Sequence, residues 1–281
     1  MRLANLDDRP VIVVDGVSDG GRDDLVTFAE LGRRGEFTFD DVFDRWDDAM
    51  AAAESATVTE TVAISALGPP SPRPRQVFAI GLNYAAHAAE SGQPVPEHPT
   101  TFTKFPSCIT GPFVDVVLPS GFVDYEIELV AVIGRRAHHA PAATAWAHVA
   151  GLTVGQDLSE RAVQMRPPVP QFSLGKSFPG FGPTGPWLVT PDEFDDPDDL
   201  ALACRLNGVV VQSSRTSDLI FSISEIIERV SAITPMLPGD LVFTGTPAGV
   251  GIGRTPPRYL VAGEVLESTI EGIGTIVTTL R

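Results

Sequence analysis

The chain has 281 residues, 43% of them hydrophobic, and a mean hydropathy of +0.11, so it holds enough apolar material for a large core, and disordered, collagen-like and fibrous readings are excluded. Its 36 acidic against 20 basic residues give a formal net charge of −16, which argues against nucleic acid or anionic lipid as the main partner. Two of the basic residues are lysines, Lys104 and Lys176; the rest are arginines.

The acidity is uneven, because residues 1–67 hold 15 acids and 6 bases. In that segment Val11–Val14 reads as a strand and the acidic, alanine-rich stretch 40–53 as an amphipathic helix, and neither carries an obvious catalytic group. No basic stretch followed by an apolar run opens the chain, and no apolar run approaches the roughly 20 residues that span a bilayer, so a cytoplasmic protein without membrane contact is expected. Cys108 and Cys204 match no disulfide or zinc spacing, in keeping with a reducing compartment. The proline-rich passage Gly68–Pro74 cannot propagate helix or interior strand and marks a boundary. It divides the chain into a small N-terminal domain, 1–70, and a larger one, 71–281.

Beyond the boundary, short β-rich runs recur at 77–80, 114–118, 126–133, 202–206, 240–244 and 275–280, with helices over roughly 83–91, 159–164 and 222–231. Strands so frequent, broken by Gly and Pro and with so few helices between them, predict a strand-dominated α+β fold rather than regular βαβ winding.

Five constellations carry candidate chemistry. In 81–92, Asn83 reads as an N-cap and Gly92 as a helix stop, placing His87 and Glu90 at i and i+3 on one face, where a carboxylate can orient an imidazole as a general base. In 124–134, the alternation of a strand aims Glu126 and Glu128 at one face, about 6.6 Å apart along the chain. A lone Glu-x-Glu suits a solvent-facing edge strand, but the apolar run from Leu129 to Ile133 implies burial on both faces, and buried carboxylates need protons, cations or a metal. Oxygen-only ligation would suit magnesium, manganese or calcium.

In 151–164, a strand ends at Asp157 and a helix begins near Ser159, so that Asp157, Arg161 and Gln164 would share a face if the helical turn is continuous. Asp157 would complete a three-carboxylate site. Lys176, in Leu174–Gly180, reads as a partly buried cation able to neutralise a carboxylate or oxyanion; the surrounding spacing is not that of a P-loop. The glycine-rich loop 244–253 lacks the dinucleotide-binding spacing and offers Thr246 and backbone N–H groups to a ligand, or is simply a turn.

Taken in order, Gly81-Leu-Asn-Tyr, Asp124-Tyr-Glu-Ile-Glu-Leu, Gln156-Asp-Leu-Ser-Glu-Arg, Gly175-Lys-Ser, Gly185-Pro-Trp-Leu-Val and Thr244-Gly-Thr-Pro-Ala-Gly-Val-Gly resemble the fumarylacetoacetate hydrolase family across residues 75–281. The resemblance implies a mixed β-roll around a central site and a homodimer. It implies a divalent metal, Mg2+ or alternatively Mn2+ or Ca2+, on Glu126, Glu128 and Asp157, with His87, Glu90 and Lys176 as catalytic groups and Arg161, Gln164 and Thr246 as substrate contacts. Where many members carry Asn before the metal aspartate, this chain has Gln156, which puts the surroundings of the ligand in question.

The substrate implied is a small 2-oxo acid. The leading expectation is hydrolysis of a C–C bond in an acylpyruvate or β-diketo acid, with a metal-stabilised enolate as leaving group and His87 activating water. The alternatives are an oxaloacetate-type decarboxylase, a keto–enol isomerase and, from another class, a non-catalytic 2-oxo-acid binding protein.

Overall fold

The computed structural model describes residues 1–15 and 23–281. Among these, the β-rich runs assemble into a 12-stranded mixed sheet, a five-stranded sheet and a two-stranded pair, a strand-dominated α+β architecture.

The strand Ile127–Ile133 lies inside the large sheet and is buried along its whole length, as its unbroken apolar sequence requires. It pairs antiparallel with Val149–Gln156 on one side and with Leu241–Phe243 on the other; the latter runs parallel to Val77–Gly81, so the sheet is mixed. Alternation then divides its side chains between two cores. Ile127, Leu129, Ala131 and Ile133 join a cluster with Leu202, Cys204, Leu266 and Ile276 of the five-stranded sheet, whereas Val130 and Val132 pack with Phe43, Trp46 and Phe243. Glu126 and Glu128 fall on the same alternation as Val130 and Val132. That face is covered by apolar side chains at one end of the strand and carries carboxylates at the other.

Outward from Val149–Gln156 the sheet continues through Gly182–Val189 to Arg2–Leu6, Arg9–Asp15, Leu25–Glu30 and Thr57–Ala63. The first sixty residues therefore add strands to the sheet that carries the carboxylates. The proline-rich passage is irregular, as its composition demands, but pinned: Leu67–Gly68 pairs with Arg2–Leu6, and the buried Ser71 hydroxyl donates to the Gly239 carbonyl at 2.7 Å.

Helices are short. Trp46–Ala53 is shorter than the acidic stretch suggested, and Ile223–Ser231 starts from a capping box between Ser222 and Glu225. Two expected helix starts are corrected. Asn83 caps nothing: it is fully buried, and its side chain accepts from the Phe221 N–H (2.8 Å) and donates to the carbonyls of Phe221 (2.9 Å) and Thr244 (2.8 Å), fastening three loops; the helix runs Ala85–Glu90. Ser159 is likewise no cap, because Ser159–Glu160 forms a short strand with Val123–Asp124 and the helix is the single turn Arg161–Gln164, whose cap is the Glu160 side chain. Asp157 thus lies before the helix rather than on its face. Among the described residues no helix is long and apolar enough to cross a membrane.

Candidate active site

The antiparallel pairing Ile127↔Gln156 sets the next residue pair, Glu126 and Asp157, opposite each other, and the Asp157 N–H donates to the Glu126 carbonyl at 2.9 Å. Glu128 reaches the same point from two residues along. One oxygen from each of the three carboxylates lies within 4.8 Å of the others, and all three residues are buried.

Three like charges in a dry site require compensation. Lys176 supplies most of it: its ammonium donates to Glu126 (2.7 Å), Asp157 (2.6 Å) and the Ser159 hydroxyl (2.8 Å), using all three of its protons. The lysine ends the turn Phe172–Gly175, which packs closely on the turn Arg161–Gln164. A Cβ on Gly175 would lie 2.7 Å from the Gln164 nitrogen, so only glycine lets the two turns meet. Arg161 contributes from the other side, 2.7 Å from Glu126 and 2.8 Å from Asp124, with its remaining arm on the Gln164 side chain at 2.8 Å.

The second lysine belongs to the same network and was not singled out by its local sequence. Lys104 is fully buried; it donates to the other Asp157 oxygen at 2.6 Å, to the Phe181 carbonyl at 3.2 Å and to the Lys176 carbonyl. Both lysines of the chain therefore grip one aspartate, one on each oxygen. Nothing in Thr-Phe-Thr-Lys-Phe announces this. The signal was compositional: a surface that uses arginine throughout keeps lysine at two places, where a compact ammonium with three divergent donors is needed.

These neighbours sort the carboxylates. Burial would raise the Glu126 carboxyl, but Lys176 and Arg161 outweigh it and hold it down at about 2. Glu128 is pushed well above the usual carboxylate range, first by burial and then by Asp157 and Glu126; it accepts one hydrogen bond from the Gly245 N–H at 2.7 Å. Burial opposes the charge on Lys176, yet Asp157 and Glu126 leave its ammonium favoured. A carboxyl crowded by two like charges, in an all-oxygen cluster, fits a hard divalent cation, which would supply the positive charge that Glu128 lacks.

His87 and Glu90 face this cluster across a cavity of about 460 Å³. The His87 Nδ1 lies 2.8 Å from the Glu90 carboxylate, which also accepts from the Gly249 N–H at 3.0 Å. Gly249 has φ +108°, and a Cβ there would come within 2.2 Å of the Val211 carbonyl, so this loop conformation excludes any other residue. Glu126, Glu128, Arg161, Gln164, Lys176 and Thr246 all line the cavity. The Thr246 hydroxyl is engaged, donating to the Ile127 carbonyl and accepting from Gln212, each at 2.8 Å. An apolar wall of Ile80, Phe102, Met165, Phe172 and Ile252 encloses the rest.

The Gln156 departure has a structural answer. Its carbonyl oxygen accepts from the Glu126 N–H at 2.9 Å, and its amide nitrogen donates to Ser268 at 2.8 Å. The glutamine ties the backbone of one carboxylate residue to the second sheet, so the carboxylate cluster stays anchored.

A strand-rich fold whose large sheet carries a buried acidic cluster, with cations and an oriented imidazole around the same cavity, defines an enzyme acting on a small molecule. Comparison with known proteins gives it a family. The family model described as fumarylacetoacetate (FAA) hydrolase C-terminal matches residues 76–281, and the chain belongs to the fumarylacetoacetate hydrolase family. It is 46% identical over 210 residues, 74% of this chain and 67% of the relative, to human mitochondrial oxaloacetate tautomerase FAHD2A. Among solved structures, it resembles a Mycobacterium smegmatis protein named as a candidate HpcE, at 47% identity and TM-score 0.91 over 100% of this chain and 99% of the other. It also resembles fumarylpyruvate hydrolase from Pseudomonas aeruginosa in complex with Mn2+ and pyruvate, at 34% identity and TM-score 0.67 over 74% of this chain and 89% of the other.

Proposed function

We propose that this enzyme interconverts the enol and keto forms of a small 2-oxo acid of the oxaloacetate type. The observation that carries the reading is an imidazole held by a carboxylate, His87 on Glu90, in the same cavity as a buried three-carboxylate cluster. Relatives named oxaloacetate tautomerases, at 46% identity, favour proton movement over bond cleavage as the outcome.

Glu126, Glu128 and Asp157 would hold the ion, Mg2+ in this reading. When bound, it supplies the Lewis acidity that makes the C3 protons of a 2-oxo acid removable. With Nδ1 tied to Glu90, the His87 Nε2 is the nitrogen left to take a proton from C3 and return it to oxygen, or the reverse. Lys176 and Arg161 keep the site positive enough for a doubly charged anion, the Gln164 side chain and the Thr246 backbone offer polar contacts to it, and the apolar wall limits water. The polar groups lie between residues 87 and 246 and the apolar wall between 80 and 252, all within the 71–281 unit. We assign the first seventy residues to the stability of the sheet.

Hydrolysis of an acylpyruvate is the second reading. It is favoured by the likeness to fumarylpyruvate hydrolase and by the suitability of His87 and Glu90 for activating water. One experiment separates the two. Enol oxaloacetate with Mg2+ should lose its ultraviolet enol band faster with enzyme than without, and His87→Ala or a chelator should abolish the gain. No acceleration, with acid released from an acylpyruvate, would transfer the assignment to the hydrolase; carbon dioxide release would transfer it to a decarboxylase.

A further inference from the structure

Asp124 is fully buried and is neither a member of the carboxylate cluster nor a lining residue of the cavity. Its carboxylate nevertheless accepts five hydrogen bonds. One oxygen takes the N–H groups of Tyr125 (2.9 Å) and Gly251 (2.7 Å); the other takes the Ile252 N–H (2.9 Å) and both Nε and a terminal nitrogen of Arg161 (2.9 and 2.8 Å). An ion pair with Arg161 alone would need no backbone donors. Of the three it recruits, two, Gly251 and Ile252, come from the loop whose Gly249 N–H holds Glu90. Tyr125 grips that loop again, its hydroxyl donating to the Gly249 carbonyl at 3.1 Å.

We propose that Asp124 is a positioning residue that couples the two halves of the site: through the 249–252 loop it fixes Glu90 and hence His87, and through Arg161 it fixes the guanidinium that faces Glu126. The base on one wall and the cationic wall opposite then share one buried anchor. The inference rests on the reading of His87 and Glu90 as the acid–base pair.

The test uses the full-length, Mg2+-loaded protein and Asp124→Asn, which presents an amide N–H₂ where Arg161 and the Ile252 N–H now donate. Hydrogen exchange should rise by about tenfold in both the 249–253 loop and the 85–90 helix, with the 182–189 strand unchanged. Exchange that rises in the loop alone would overturn the coupling to the base. In turnover of enol oxaloacetate, D124N and E90Q should each lower kcat by about tenfold, and the double variant should fall no more than about twofold below the weaker single, because both act through Glu90. Losses that multiply would overturn the proposal. An E90Q enzyme with unchanged kcat would remove the acid–base reading, and the inference with it. If the wild type does not turn over this substrate, the exchange comparison decides alone. Should D124N fail to fold, Gly249→Ala displaces the same loop without changing a charge and must reproduce the pattern.

Discussion

Ion pairs occur in two settings in this molecule, and they do different things. On the N-terminal face Arg73 meets Asp8 and Asp40, and Arg75 meets Asp44, with every partner at least 45% exposed. Buried around the cavity, Lys104, Lys176 and Arg161 meet Asp124, Glu126 and Asp157 at similar distances, all at most 7% exposed. Water screens the first group, so each pair contributes little and is replaceable. Removing one member of the second strands a buried charge. Similar separations thus give solubility and local tethering in one place and a preorganised electrostatic site in the other.

Breaking this contrast is straightforward. Lys176→Met leaves Glu126 and Asp157 facing each other without their shared ammonium, and should lower stability by about 3–5 kcal/mol in urea unfolding. Lys104→Met removes one partner of Asp157 and two backbone contacts; it should cost about 3 kcal/mol and weaken divalent-ion binding, read by calorimetry. Glu90→Gln should reduce kcat about tenfold with little change in the unfolding midpoint, since Glu90 sits at the cavity wall rather than in the core. Arg73→Ala should cost less than about 1 kcal/mol and leave activity unchanged. If Arg73→Ala destabilised as much as Lys104→Met, burial would not be what separates the two settings.

The part of this site that could be read from the sequence is the part governed by local periodicity. Strand alternation places Glu126 and Glu128 on one face, helical spacing joins His87 to Glu90, and the apolar run after Glu128 announces burial; the structure brings all of these together with Asp157, Arg161, Gln164, Lys176 and Thr246. What local pattern misjudged are residues whose partners lie far along the chain. Asn83 and Ser159 have the chemistry of helix caps, but Asn83 spends its side chain on Phe221 and Thr244, and the Ser159 hydroxyl donates back to the Asp157 carbonyl and accepts from Lys176. Lys104 meets Asp157 across 53 positions, and Asp124 meets Gly251 across 127, so no window of sequence shows either. Of the N-terminal strands only Arg9–Asp15 is legible, from its run Val11–Val14; Arg2–Leu6, Leu25–Glu30 and Thr57–Ala63 are not, nor is the pairing onto Gly182–Val189, because edge-to-edge pairing leaves no local signature.

The account turns on whether the buried carboxylates form a single divalent-ion site. Calorimetric titration of Mn2+ into metal-stripped protein, repeated with Glu126→Ala, tests this directly. One ion per chain in the wild type, lost in the variant, is the predicted result; an affinity unchanged by Glu126→Ala would contradict the account.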